Sequence, residues 1–170
     1  MKSEVRSGKS QVKRGKPGLV IISLGSNLGD SPVTVLRAMG RLQELTDKPL
    51  LKSSLYETMP VDCPPGSPIF VNAVVVLVPR AGETPETLLE KLQALEKEFG
   101  RRPKKILNEP RLLDLDLIAF GAKRRRKTQL VLPHPRAHER RFVLEPLSEI
   151  APDLVLPGQT KTVKELLNNL

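Results

Sequence analysis

The stretch RLLDLDLIAF, residues 111–120, sets leucines and acids in strict alternation from Leu113 to Leu117. A period of two is that of a β-strand with one buried face. Leu113, Leu115 and Leu117 therefore point to a core, and Asp114 and Asp116 point away from it. Carboxylates two residues apart on one face lie about 6.7 Å from each other along the strand. Like charges that close repel unless a cation or a proton is shared between them. Arg111, three residues before the first acid, adds a planar guanidinium suited to a phosphate. Together these residues suit a Mg²⁺–nucleotide site. An edge strand with a charged solvent face has the same alternation, so the stretch alone leaves both readings open.

Working outward, residues 19–24 (LVIISL) form a short apolar run that ends at Gly25-Ser26-Asn27-Leu28-Gly29-Asp30. Ser31-Pro32 then opens a helix with a side-chain cap and a proline in the first turn. Val35, Leu36, Met39, Leu42 and Leu45 form its apolar stripe. A second strand falls near residues 50–57, a Pro/Gly-rich loop covers 59–68, and a valine-rich third strand runs over 70–78 with Asn72 embedded in it. Thr84-Pro85 opens a second helix, with Leu88, Leu92, Leu95 and Phe99 on one face and Gly100 at its end. A basic loop over 101–110 leads into the Asp-bearing strand. The order β-α-β-β-α-β is that of a ferredoxin-like α+β sandwich. A C-terminal extension carries short helices around residues 139–148 and at the chain end.

The chain has 170 residues, a size suited to one domain with its own core. Its net charge of +9 is concentrated in two places: residues 1–17 carry +5 and residues 123–127 (KRRRK) another +5. Subtracting both leaves −1, so the body is nearly neutral and presents no broad basic face. Residues 1–17 lack periodic apolar positions and read as a basic disordered tail, followed by a single domain over 18–170. The basic run at 123–127 reads as a solvated turn. Cys63, the one cysteine, cannot form an intramolecular disulfide, and no apolar run approaches the roughly 18 residues of a membrane span. The expectation is a cytoplasmic, unexported protein without a membrane or nucleic-acid partner.

Several further residues stand out. Gly25-Ser26-Asn27 lacks the lysine of a phosphate-binding loop and by itself is a turn. Asn72 in a valine-rich strand needs a partner, because a buried unpaired amide costs about 1–3 kcal/mol; a neighbouring loop or a planar heterocycle would supply one. Phe70 lies on the same face and can stack on such a ring. His134 and His138 are four apart, but Pro133 and Pro135 disfavour a helix there and no third ligand is evident. With Arg136, Arg140 and Arg141 alongside, a phosphate-contacting turn suits the segment better than a metal pair.

Taken in order, LGSNLG (24–29), SLYET (54–58), FVNA (70–73), R-x-x-DLD (111–116) and PHPR-x-HERRF (133–142) resemble the 6-hydroxymethyl-7,8-dihydropterin pyrophosphokinases of the folate pathway, over about residues 19–157. The resemblance implies transfer of the terminal diphosphate of ATP, the co-substrate, to the pterin hydroxymethyl group, with release of AMP. It implies two Mg²⁺ ions on Asp114 and Asp116, with Arg101 and Arg111 also catalytic. It assigns Thr58, Val61, Phe70, Asn72 and Phe142 to the dihydropterin, and Glu96, Lys104, Arg111, Leu117, His134 and Arg140 to the nucleotide. It further implies a monomer, with the loops at 58–68 and 101–110 closing over the substrates.

Two departures accompany the resemblance. Asn108-Glu109-Pro110 stands where the family carries Trp-Gly-Pro, and Gln129 where it is often basic. An RNA-binding module shares the β-α-β-β-α-β order, but such modules stack bases on sheet aromatics, and only 3% of this chain is aromatic. The enzyme reading is favoured.

Overall fold

The structure is a computed structural model that describes residues 18–60, 62–101 and 110–170. The basic segment at 1–17, Val61, Lys104 and Asn108-Glu109 lie outside the described residues. The central sheet comprises β1 (Val20–Ser26), β2 (Leu51–Lys52), β3 (Tyr56–Thr58), β4 (Phe70–Leu77) and β5 (Asp114–Phe120). Strand β1 lies at its middle, antiparallel to both β4 and β5, and β2 and β3 both pair with the outer side of β4. Treating β2 and β3 as one interrupted edge strand gives the spatial order of the ferredoxin-like sandwich read from the sequence.

Helices α1 (Ser31–Gln43) and α2 (Pro85–Glu98) cover one face. Beneath them Val20, Ile22 and Leu24 of β1, Ala73, Val75 and Leu77 of β4, and Leu115, Leu117 and Phe120 of β5 form the main core with Leu42, Leu88 and Leu92. The leucine side of the alternation is thus the buried side. The first cap lies one residue earlier than expected: Asp30, not Ser31, accepts the Val33 N–H. Ser31 is already helical, and its hydroxyl accepts from Ser26 Oγ at 3.0 Å. Thr84 caps α2 as expected, in a reciprocal box with Thr87.

The C-terminal extension builds a third layer. After a 3-10 turn at Ala137–Glu139, helices α3 (Arg141–Ile150) and α4 (Val163–Asn168) pack Val143, Leu144, Leu147 and Val163 against Ile21, Val74, Val76 and Ile118 on the opposite face. Residues 125–132, whose basic part was expected as a solvated turn, form a hairpin instead: β6 (Arg125–Lys127) pairs with β7 (Leu130–Leu132). Arg125 Nε and Lys127 Nζ reach Glu86 Oε2 of α2 at 2.6 and 2.9 Å. Half-buried guanidinium and ammonium groups with an acidic partner do not need full solvation, so charge alone misled the sequence reading.

Candidate active site

Helices α3 and α4 leave part of the second sheet face open, and the register of the strands places polar groups there. Gly25 of β1 stands opposite Asn72 on one side and Asp114 on the other, and Tyr56 stands beyond Asn72. One cross-sheet row therefore reads Tyr56, Asn72, Gly25, Asp114. Adjacent strands lie about 4.8 Å apart, so the Asn72 and Asp114 backbones are separated by two such spacings, with no side chain between them. A Cβ on Gly25 would come to 3.1 Å from Asn72 Oδ1. Glycine inside a strand marks close approach by another group, and Gly25 forms the floor between an amide and a carboxylate.

At the amide end, Asn72 is buried and its Nδ2 donates to Thr58 Oγ1. Thr58 pairs with Phe70 across the strands, so Thr58, Phe70 and Asn72 meet as expected. Phe142 opens α3, and the Arg140 guanidinium lies over its ring, 5.3 Å from the centroid.

 At the acid end, Asp114 is bracketed by two arginines: Arg101 Nη1 lies 2.9 Å from its Oδ1 and Arg111 Nη1 3.2 Å from its Oδ2. Arg101 Nη1 also reaches Glu96 Oε2 at 3.1 Å, and that oxygen accepts the Leu115 N–H at 2.8 Å. Glu96 is therefore turned to Arg101 and to the backbone of β5.

The electrostatics of this end follow from burial and crowding. Burial first, and the charge of Asp114 second, push the Asp116 carboxyl above the usual carboxylate range, while Arg140 and Arg111 oppose the shift. Burial likewise raises Glu96, against the Leu115 N–H and Arg101. His134 is held below its ordinary value by burial and by Arg140 and Arg136, so its ring is neutral near pH 7. Its Nδ1 accepts the Arg136 N–H at 3.2 Å. Arg111 Nε is buried with no hydrogen-bond partner among the described residues, and a buried unpaired donor is costly unless an acceptor arrives.

Arg101, Arg111, Asp114, Asp116, Glu96, His134 and Arg140 thus share one electrostatic neighbourhood, joined to Thr58, Phe70 and Asn72 through the Gly25 row. Leu117 is not brought to it. Its side chain is buried in the main core with Leu115, on the face away from the carboxylates, as the alternation itself requires. Val61 and Lys104 lie outside the described residues. Asn27, which the sequence offered only as part of a turn, is a buried brace: its N–H donates to the Arg111 carbonyl at 3.1 Å, and its Oδ1 accepts the Arg111 N–H at 2.9 Å. Gly25 had a local signal, a glycine bounding an apolar run. Asn27 had none, because its partner lies 84 residues away.

The sequence model of the 7,8-dihydro-6-hydroxymethylpterin-pyrophosphokinase (HPPK) family matches residues 21–152. The chain belongs to that family. It is 38% identical over 153 residues to the 2-amino-4-hydroxy-6-hydroxymethyldihydropteridine pyrophosphokinase of Haemophilus influenzae, covering 87% of this chain and 92% of that one. It is 36% identical over 151 residues to the enzyme of the same name from Synechocystis, covering 88% and 75%. To the folic acid synthesis protein fol1 of Pneumocystis carinii it is 44% identical over 138 residues, 81% of this chain but 18% of that protein. A solved Plasmodium falciparum HPPK-DHPS structure superposes with a TM-score of 0.69 at 14% identity, covering 91% of this chain and 44% of that one, which shows the shared fold. The chain spans less than half the length of such fused proteins. Family membership makes it a pyrophosphokinase domain of folate biosynthesis. Among the described residues, no helix is long and apolar enough to cross a membrane.

Proposed function

We propose that this site transfers the terminal diphosphate of ATP to the hydroxymethyl group of 6-hydroxymethyl-7,8-dihydropterin, and that Asp114 and Asp116 hold two Mg²⁺ ions while it does so. The cross-sheet row carries the reading. An amide that can pair with the edge of a flat heterocycle stands at one end, a carboxylate pair at the other, and a side-chain-free glycine between them leaves room for a bicyclic ring.

The residues fit the metal. Two carboxylates share one face of β5, two residues apart, one of them in a setting that penalises its charge, and no group of three His, Cys, Asp or Glu gathers among the described residues. That donor set suits Mg²⁺, which keeps several waters and takes few protein ligands. When bound there, Mg²⁺ neutralises phosphate charge and lowers the pKa of a nearby hydroxyl.

The chain's own residues do the rest. Asn72 and Thr58 fix the pterin's polar edge, and Phe70 and Phe142 pack against its faces. Arg111, braced through its backbone by Asn27, offers its buried Nε, unpartnered among the described residues, to a phosphate oxygen. Arg101, positioned by Glu96, adds a second guanidinium where charge develops in transfer. His134 and Arg140 border the nucleotide end, and Val61 and Lys104 belong to the same reading by resemblance alone. The hydroxyl oxygen attacks the β-phosphorus, the bond from that phosphorus to the α–β bridging oxygen breaks, AMP departs, and the hydroxyl proton passes to solvent. A monomer in the cytoplasm, with residues 1–17 outside the catalytic domain, completes the proposal.

AMP release from ATP, measured with and without the dihydropterin and with Mg²⁺ or EDTA, tests it. Pterin-dependent AMP that EDTA abolishes supports the reading. AMP release indifferent to pterin, or none at all from folded protein, overturns it.

A further inference from the structure

Glu149 lies near the C-terminal end of α3, on no element that carries the acid cluster, yet it makes three contacts across the sheet edge. Its Oε1 accepts the Ser54 N–H at 2.9 Å and the Tyr56 hydroxyl at 2.8 Å, and its Oε2 accepts the Ser54 hydroxyl at 2.8 Å. Ser54 sits in the break between β2 and β3. Ser53 holds the chain to β4 there through Val74, in both directions, and Glu149 takes the next residue along.

The geometry connects two walls of the pterin end. Phe142 and Glu149 are seven residues apart on α3, which places them on nearly the same side of the helix and about 10 Å apart along its axis. Tyr56 and Thr58 are two apart on β3, pairing with Asn72 and Phe70, so they share a strand face. No backbone ladder joins α3 to β3. We propose that Glu149 is a positioning residue for the pterin end of the site, fixing the helix that carries Phe142 against the edge strand that carries Thr58. This rests on the pterin reading of that end.

The contact is built to persist. Hydrogen bonds to an ionised acceptor are shorter and roughly twice as strong as neutral ones. Burial first, then the bond to Glu149, pushes the Tyr56 phenol up to about 12, so it remains a donor throughout the working range. Among the described residues, the nucleotide groups Arg101, Arg111 and Asp114 bond to Glu96 and to one another, whereas the clamp joins Glu149 to Ser54 and Tyr56. The effect of breaking it is therefore selective.

The experiment compares the full chain with Glu149→Ala, Glu149→Gln, Tyr56→Phe and Ser54→Ala by steady-state kinetics in both substrates, pterin binding by fluorescence, and thermal unfolding. Glu149→Ala is expected to raise KM and Kd for the dihydropterin about tenfold while KM for ATP moves less than about twofold, with Glu149→Gln between it and the wild type. Adding Tyr56→Phe to Glu149→Ala costs little more, since the two act through one contact. If Glu149→Ala does not fold, Tyr56→Phe and Ser54→Ala carry the same expectation. Unchanged pterin affinity in a folded variant, or equal losses for both substrates that follow the fall in Tm, overturns the assignment. A wild-type chain that turns over ATP with no pterin dependence instead overturns the pterin reading and this inference with it.

Discussion

On one face of the central sheet, β1, β4 and β5 bury Val20, Ile22, Leu24, Val75 and Leu115 under α1 and α2. On the other, the same three strands carry Ile21, Val74 and Ile118 under α3, then Asn72, Asp114 and Asp116 where that cover ends. The first face is apolar along its whole length; the second changes character within one strand. A sheet pays for a polar half-face only by leaving it wet or giving it ligands. The difference teaches where to look: the site is the part of the second face beyond the apolar cover of α3, which reaches it only through Phe142 at its first turn.

Substitutions on the two faces should separate rate from stability. Asp114→Ala or Asp116→Ala on the open face should lower turnover by more than about 10³-fold, roughly 4 kcal/mol in the barrier, with an unchanged circular dichroism spectrum; near-normal rates across a Mg²⁺ titration would break the comparison. Leu92→Ala, buried in α2 against the covered face, should cost about 2–5 kcal/mol in urea unfolding, with KM values kept in the folded fraction. Gly25→Ala, whose new Cβ would stand 3.1 Å from Asn72 Oδ1, should raise the pterin KM by about fivefold to tenfold with little loss of Tm, the order of effect of an overpacked contact. An unchanged pterin KM would show that the row's floor is not occupied by substrate.

The smallest effect lies away from both faces. Hydrogen bonds from Arg125 first and Lys127 second hold Glu86 down to about 2, against an ordinary 4.5. A folded value below the unfolded one means the contribution is present above pH 4.5 and is lost as pH falls toward 2. The Tm difference between wild type and Glu86→Gln should be positive at pH 6, shrink through that window, and weaken with salt. A difference constant in pH would show that the hairpin does not depend on this pairing.

Much of the fold was legible because its signals are local. The alternation at 113–117, the helical spacing of Leu88, Leu92 and Leu95, and the Thr84-Pro85 start each needed only neighbouring residues, and each stands in the structure. The hairpin was missed because basic residues in β6 hide a strand until Glu86, 39 residues away, is brought beside Arg125. The break at Ser54 and the clamp on it depend on Glu149, 95 residues on. Within the site, the acids and Asn72 were visible as residue types out of place in apolar strands. The Gly25 floor and the Asn27 brace were not, because their meaning lies in register and in distant partners. Leu117 was assigned to the nucleotide by resemblance, against its own parity in the strand.

The pairing of β1 with β5 slips by one residue between Ile21 and Ile22, whose partners are Ala119 and Leu117, so that Ile118 is extra. A bulge of this kind changes the phase of a strand. Before it, β5 presents acids outward and leucines inward; after it, Phe120 returns to the main core while Ile118 and Ala119 both pack beneath α3. One inserted residue thus divides a seven-residue strand into a ligand-facing half and a load-bearing half. The aspartates can then be altered, or moved by a bound ion, without the disturbance travelling along the strand into the packing that holds the sheet together.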